Sequence, residues 1–194
     1  MEIKRPQSRQ PIPPHAKRVF KGVLFDVYQW EQEMFDGNIK TFEKIKRVDT
    51  VGILPITAQG KIILSRERQP GTEPFIGCIG GRMDEGEDPL LAAKRELAEE
   101  AGIEAREWKL WFSCQPSTKI DWAVYSFIVK DLKRLKIQDL DSGEKIELIE
   151  VGFDEFVNKI VTQDNYRDFE IAIRILQEKN DSKKFRELRG LFLD

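Results

Sequence analysis

Over its first third the chain switches between apolar and polar residues in short runs. Lys17 to Trp30 carries the β-formers Val19, Phe20, Val23, Leu24, Phe25, Val27 and Tyr28 and reads as strand. Asp36-Gly37-Asn38 signals a turn, and Lys40 to Val48 returns through Thr41, Phe42, Ile45 and Val48. These segments predict an N-terminal antiparallel meander. Val51 to Ile56 reads as a buried strand, and after the Gln59-Gly60 turn Lys61 to Arg66 is expected to be its hairpin partner. Phe75 to Gly81 is apolar and glycine-rich, so its backbone turns tightly or comes close to another group.

The period then changes. Leu90, Ala93, Leu97 and Ala101 make one apolar stripe at helical spacing. Asp88 is placed to cap this helix, Pro89 suits its first position and Gly102 closes it. Further strands are predicted near 108–115, 122–130 and 146–151, with a turn at Ser142-Gly143-Glu144. Helical spacing returns over 153–161 and 166–178, and the tail from Asn180 is charged before ending in Leu191, Phe192 and Leu193. Strands with segregated helices predict an α+β fold or an α/β/α sandwich. Residues 1–14, polar with four prolines, read as a mobile or extended arm.

Composition narrows the function classes. With 32 basic and 34 acidic residues the net charge is −2, which argues against a nucleic-acid coat but leaves room for a small anionic ligand held through a metal. Cys78 and Cys114, the only two cysteines, lack zinc-like spacing and read as small apolar residues, which is compatible with a reducing, cytoplasmic setting. No apolar run is long enough for a membrane span, and the N-terminal arm lacks the apolar core of a signal peptide.

The candidate chemistry lies on the helix from Pro89. Glu96, Glu99 and Glu100 fall at i, i+3 and i+4 on one face, where like charges repel. Mg²⁺ is held by a few carboxylates together with substrate phosphates, so a cation would explain the crowding. Alone, such a run is more often a solvated face, but its surroundings reverse that judgement. From Gly81 the chain runs through Glu87, Arg95-Glu96, Leu97 and Glu99-Glu100 to Gly102-Ile103. This pattern resembles the Nudix box, here residues 81–103, at each fixed position. The meander from Lys17 to Ile56 and the Arg68-Gln69 pair resemble the ADP-ribose and ADP-sugar pyrophosphatase branch of the Nudix hydrolases.

That resemblance implies a Nudix fold, an α/β/α sandwich with a mixed sheet, over residues 47–194. Residues 1–46 would form an arm and a meander through which two chains make a homodimer. It implies Mg²⁺, with Mn²⁺ as a possible substitute, held by Glu96, Glu99, Glu100 and the Gly80 carbonyl. Gly81, Glu87, Arg95 and Gly102 would have structural roles, with Arg95 and Glu87 bracing the loop on the helix. The implied reaction is attack of water on a diphosphate linkage of a nucleoside diphosphate derivative such as ADP-ribose, giving two monophosphates. Alternatives are a housecleaning nucleoside triphosphate pyrophosphatase and a Nudix-fold ligand sensor. The relatives' base loop is altered over 115–122, where the expected glutamate falls on Asp121 or, shifted by one, on Trp122. Asp121 is the candidate base there, and Glu99 or Glu96 the fallback. The branch's acidic residue four positions before the box is Gly77. Arg68, Trp30 and Lys119 are candidate substrate contacts. Arg66, Phe75, Trp111 and Trp122 are further possibilities, and His15, the single histidine, is an unpromising catalyst.

Overall fold

The computed structural model describes residues 3–135, 138–140 and 143–193. Met1, Glu2 and Ser142 of the expected arm and turn lie outside them. The meander comprises β1 (Lys17–Lys21), β2 (Asp26–Glu33) and β3 (Ile39–Lys46), each antiparallel to the next. The single strand expected over Lys17 to Trp30 is therefore two. A tight turn separates them, with the Gly22 N–H donating to the Phe25 carbonyl at 2.9 Å. A side chain at Gly22 would strike that carbonyl, since its Cβ would sit 2.5 Å away.

Three central strands explain the rest of the architecture. They are β4 (Thr50–Pro55), β5 (Ile62–Arg68) and, later, β9 (Val124–Arg134). Each is apolar on both faces, as strands covered on both sides must be. Val51 and Ile53, Ile63, and Phe127 and Val129 enter one core. Leu54, Ile62 and Leu64, and Ile128 enter the other, as the two-residue period of a strand requires. The first core is closed by α1 (Pro89–Ala101) through Ala92, Ala93, Leu97 and Ala101. The second is closed by α2 (Phe153–Asn158), α3 (Phe169–Lys179) and α4 (Ser182–Leu193) through Phe153, Phe156, Ile171, Ile175, Leu188 and Phe192. Helices thus cover both sides of a mixed sheet framework, in keeping with the expected α+β sandwich.

The predicted hairpin of Val51–Ile56 with Lys61–Arg66 does not form. β4 runs parallel to β9, which pairs antiparallel with β7 (Ile103–Cys114). β5 instead joins β10 (Lys145–Val151) and β6 (Phe75–Gly77). Their turn is closed by the bridge between Ile56 and Ile62 and by the Thr57 amide, which donates to the Lys61 carbonyl at 2.8 Å, but the pairing goes no further. Both strands are buried on each face, so local sequence does not choose between a hairpin and a crossing from one sheet to the next. A short strand within the altered loop, β8 (Ile120–Asp121), pairs parallel with β3 and joins the meander to the rest.

Two terminal segments differ from expectation. The arm is docked rather than loose. Arg5 forms a two-point ion pair with Asp49, at 2.7 and 2.9 Å, and a further bond to Asp121. The buried Lys44 ammonium donates to Ser8 Oγ at 2.6 Å and to the Gln10 carbonyl at 2.5 Å. The charged tail is the helix α4, whose Leu188 and Phe192 form its buried stripe. Both cysteines are free thiols. No helix among the described residues is long and apolar enough to cross a membrane.

Candidate active site

Helix α1 begins and ends where its capping chemistry dictates. Asp88 Oδ1 accepts from the Leu90 and Leu91 amides at 2.9 and 3.2 Å. Gly102 takes the left-handed conformation, φ 60°, and donates to the Ala98 carbonyl. The buried stripe of α1 carries Glu96 and Glu100 down with it, while Glu99 stays half-exposed.

The backbone ahead of the helix is shaped around these acids. Glu100 Oε2 accepts from the Gly80 amide at 2.8 Å. The Glu96 carboxylate lies on Gly81 so closely that a Cβ there would be 2.6 Å from Oε2. Gly80 itself has φ 146°, and a Cβ on it would meet the Val51 carbonyl at 2.2 Å. The glycine pair thus lets the backbone pass between the Val51 carbonyl and the Glu96 carboxylate. This contact involves the Gly80 amide, whereas the sequence reading concerned its carbonyl.

Arg95 ties the motif together. Its guanidinium donates to both Glu87 oxygens at 3.2 and 3.1 Å, to Glu96 at 2.8 Å, to Glu99 at 3.0 Å and to the Arg82 carbonyl at 3.0 Å. Hydrogen bonding from Arg95 holds the Glu87 carboxyl below its usual range, and Glu87 in turn accepts from the Asp84 amide. The guanidinium thus ties the loop at Glu87 to the glutamate face of the helix.

Glu96 and Glu100 are stressed differently from Glu87. Burial raises the pKa of both above the ordinary carboxylate range, and Glu100 is pushed up to about 8. The neighbouring charges of Glu96, Glu67 and Glu144 add to the burial of Glu100. The face is therefore short of positive charge even with Arg95 present. Among the described residues no three acidic, histidine or cysteine side chains converge closely enough to cage an ion. Mg²⁺ does not require such a cage, because one or two carboxylates, water and substrate phosphate commonly complete its shell. The oxygen-only donor set of Glu96, Glu99 and Glu100 fits a hard divalent cation.

The other sequence candidates are dispersed. Arg68 lines an open cavity of about 600 Å³ with Gln69, Thr72, Gly143, Glu144 and Lys145. Asp121 is bonded to Arg5 and, at 3.4 Å, to Gln115, with no bond to a box residue. Trp30 is buried, its ring 6.0 Å from Phe42, and the Lys119 ammonium lies over the same Phe42 ring at 5.5 Å. Trp111 packs edge-on against Phe112 and Phe192 in the α2–α4 core. Arg66 is paired with Glu147, and His15 is exposed on the arm. Trp122 donates to Thr50 Oγ1 at 3.0 Å and carries Arg47 on its ring.

Sequence reasoning missed Glu144, whose charge reaches both Glu96 and Glu100 from the start of β10. It read this residue only as part of a turn. It also missed Asp168, just before α3. Its Oδ2 accepts from the Cys78 amide at 2.6 Å and lies 3.1 Å from where a Gly77 Cβ would be. The position lacking its expected acid thus has a carboxylate brought to it from 91 residues later (168 − 77).

Comparison with known proteins gives a consistent result. A family model of the NUDIX domain matches residues 46–169. An ADP-ribose pyrophosphatase of Bacillus subtilis (strain 168) is 28% identical over 84% of this chain and 90% of its own length. A methanol dehydrogenase activator of Bacillus methanolicus has the same identity and coverage. Among solved structures, an ADP compounds hydrolase superposes with a TM-score of 0.66 at 21% identity, covering 92% of this chain and 98% of the other.

Proposed function

The chain belongs to the NUDIX family, and we propose that it hydrolyses the diphosphate linkage of a nucleoside diphosphate derivative, with ADP-ribose or another nucleoside-diphosphate sugar as substrate and Mg²⁺ as the metal. The observation that carries this reading is the buried pair Glu96 and Glu100, seated on Gly81 and Gly80 and left short of positive charge. The ADP-ribose pyrophosphatase relative, matched over nearly its whole length, supports the substrate class.

When bound, the cation would supply Lewis-acid polarisation of a phosphoryl oxygen and a more acidic water. Glu96 and Glu100 would hold it, with Glu99 and the Gly80 carbonyl as further donors. Arg95 keeps Glu96 and Glu99 oriented and fixes the loop through Glu87. For the proton of the attacking water, Glu144 is better supported than Asp121. Its charge acts on the glutamate face and it lines the cavity beside Arg68, whereas Asp121 makes no bond to a box residue. Homodimer formation through the meander is proposed on the exposed apolar side chains Val19, Phe20, Val23, Phe35 and Ile39. Light scattering that gives the mass of one chain would refute it.

The deciding experiment is a panel of ADP-ribose, GDP-mannose, NADH and nucleoside triphosphates, each with Mg²⁺. Release of two monophosphates from a diphosphate-sugar member is expected. Preference for the triphosphates would overturn the substrate assignment, and tight binding without turnover would favour a sensor.

A further inference from the structure

We propose that residues 3–10 are a strap that sets the loop opening the box, 81–88, from outside the matched NUDIX region, with Arg5 as its positioning residue. The matched region starts at residue 46, so the strap is an addition to it. It is fastened along its length. Ile3 packs on the core that α1 closes. The Pro6 carbonyl accepts from Gln115 Nε2 at 2.9 Å, and Ser8 and Gln10 hold the buried Lys44 ammonium.

Between these fastenings Arg5 spans two carboxylates. Its Nε lies 2.7 Å from Asp49 Oδ2, and its Nη2 lies 2.9 Å from Asp49 Oδ1 and 3.0 Å from Asp121 Oδ1. With Gln115 on Pro6 and Asp121 on Arg5, both ends of the segment 115–121 are tied to the arm. Asp49 carries the fastening onward. Its Oδ1 also accepts from the Ala123 amide at 2.8 Å, and its carbonyl accepts from the Met83 amide at 2.9 Å. Two residues on, the Val51 amide donates to the Gly81 carbonyl at 3.0 Å. Residues 81–83 are therefore clipped to residues 49–51 by two backbone bonds, and the Glu96 carboxylate rests on Gly81.

Charge explains why Arg5 matters to this clip. The Asp49 and Asp121 side chains are only 15% and 16% exposed, and one oxygen of each converges on the same nitrogen of Arg5. Among the described residues Arg5 is the one ion-pair partner of either acid. Lys44 feels the Asp121 charge without pairing with it. A guanidinium fork suits this task, since it can hold two oxygens of one carboxylate and still reach a second. With Arg5 neutralised, two poorly solvated carboxylates face each other and repel. Their separation moves Asp49, whose side chain holds Ala123 and whose carbonyl holds Met83.

The test reads the two amides that Asp49 holds. Amide hydrogen exchange is followed without metal in wild type, Arg5→Gln and Arg106→Gln. Arg5→Gln is expected to speed exchange at Met83 and Ala123 roughly tenfold or more, the scale of one lost hydrogen bond to a charged group. Amides of α3 and α4 should keep their wild-type rates, which shows the exposed substitution to be tolerated by the fold. Arg106→Gln removes another exposed ion pair, with Asp131, and should match wild type throughout. A second readout rests on the proposed hydrolysis. Because Glu96 lies on the clipped Gly81, Arg5→Gln should need roughly tenfold more Mg²⁺ for half-maximal rate and still reach the wild-type kcat at saturation. Unchanged exchange at Met83 and Ala123 overturns the strap. Faster exchange that spreads equally to α3 and α4 overturns it too, since Arg5 would then be a general stabiliser. Local loosening with an unchanged Mg²⁺ requirement overturns the positioning role. Should wild type hydrolyse no diphosphate substrate, the proposed function fails, and the metal-free exchange pattern still decides the strap.

Discussion

Carboxylates meet both ends of the segment from Gly77 to Gly81, and the two ends are built in different ways. Glu96 and Glu100 meet Gly81 and Gly80 from a single helix. Arg167 and Asp168 meet Gly77 from a turn far along the chain. The Gly81 side is a product of helical spacing, so three carboxylates at i, i+3 and i+4 are compelled to share a face. The Gly77 side exists only once the sheets have crossed and the C-terminal helices have docked. One is local, whereas the other is assembled from distant parts of the chain.

The comparison breaks most sharply at Glu100. Its carboxylate is buried and bonded to the Gly80 amide, so a neutral amide of the same shape leaves the fold in place and removes the charge. Glu100→Gln is expected to lower kcat for a diphosphate substrate by about a hundredfold to a thousandfold, the several kcal/mol that a catalytic metal contributes. An unchanged hydrolysis rate would sink the metal mechanism.

How much of this was legible in the sequence follows the same division. Caps, stripe and glutamate face of α1 depend on neighbours within a turn or two, and helix bounds of Pro89 and Ala101 are found as expected. The glycine pair was legible as a constraint, though its cause, the Val51 carbonyl at Gly80 and the Glu96 carboxylate at Gly81, was not. The partner of β4 was not legible, because a strand apolar on both faces carries no mark of its neighbour. Arg47 and Asp168 carry no local signal. Their meaning comes from Trp122 and Cys78, which lie 75 (122 − 47) and 90 (168 − 78) residues away. The Arg5–Asp49–Asp121 link was missed for the same reason, and the polar, proline-rich arm gave the opposite impression.

A smaller effect sharpens the contrast through pH. The Glu100 carboxyl lies at about 8 in the folded protein against an ordinary value of 4.5. The folded state therefore binds its proton more tightly than the unfolded state between those values. Stability from this group is full below about pH 4.5 and is lost as pH rises toward 8. Without divalent metal the loss is on the order of a few kcal/mol, or roughly 5–10 °C in Tm. Glu170, raised to about 7 mainly by burial, drifts the same way. Thermal melts at pH 5 and 8 with EDTA or Mg²⁺ divide the two contributions. Mg²⁺ should restore the part belonging to Glu100 and leave that of Glu170. A Tm at pH 8 that does not respond to Mg²⁺ would remove the cation from the α1 face.

The smallest effect expected is at Asp168, and it tests whether the far end of the segment is held by charge or by a hydrogen bond. The Asp168 carboxylate receives the Cys78 amide at 2.6 Å in a buried setting, and burial raises its pKa above the ordinary range. An ionised acid in that place is costly, whereas an amide oxygen accepts the same bond without the charge. Asp168→Asn should therefore cost less than about 1 kcal/mol in urea unfolding, while Asp168→Ala should cost about 1–3 kcal/mol by orphaning the Cys78 N–H. The difference isolates the acceptor, since both variants remove the same charge. If the two variants lose equal stability, the carboxylate is not acting as an acceptor. A rise in the KM for ADP-ribose in Asp168→Asn, with stability kept, would mean that its charge is felt by the substrate. Asp168 would then supply at Gly77 the acid that the backbone there does not carry.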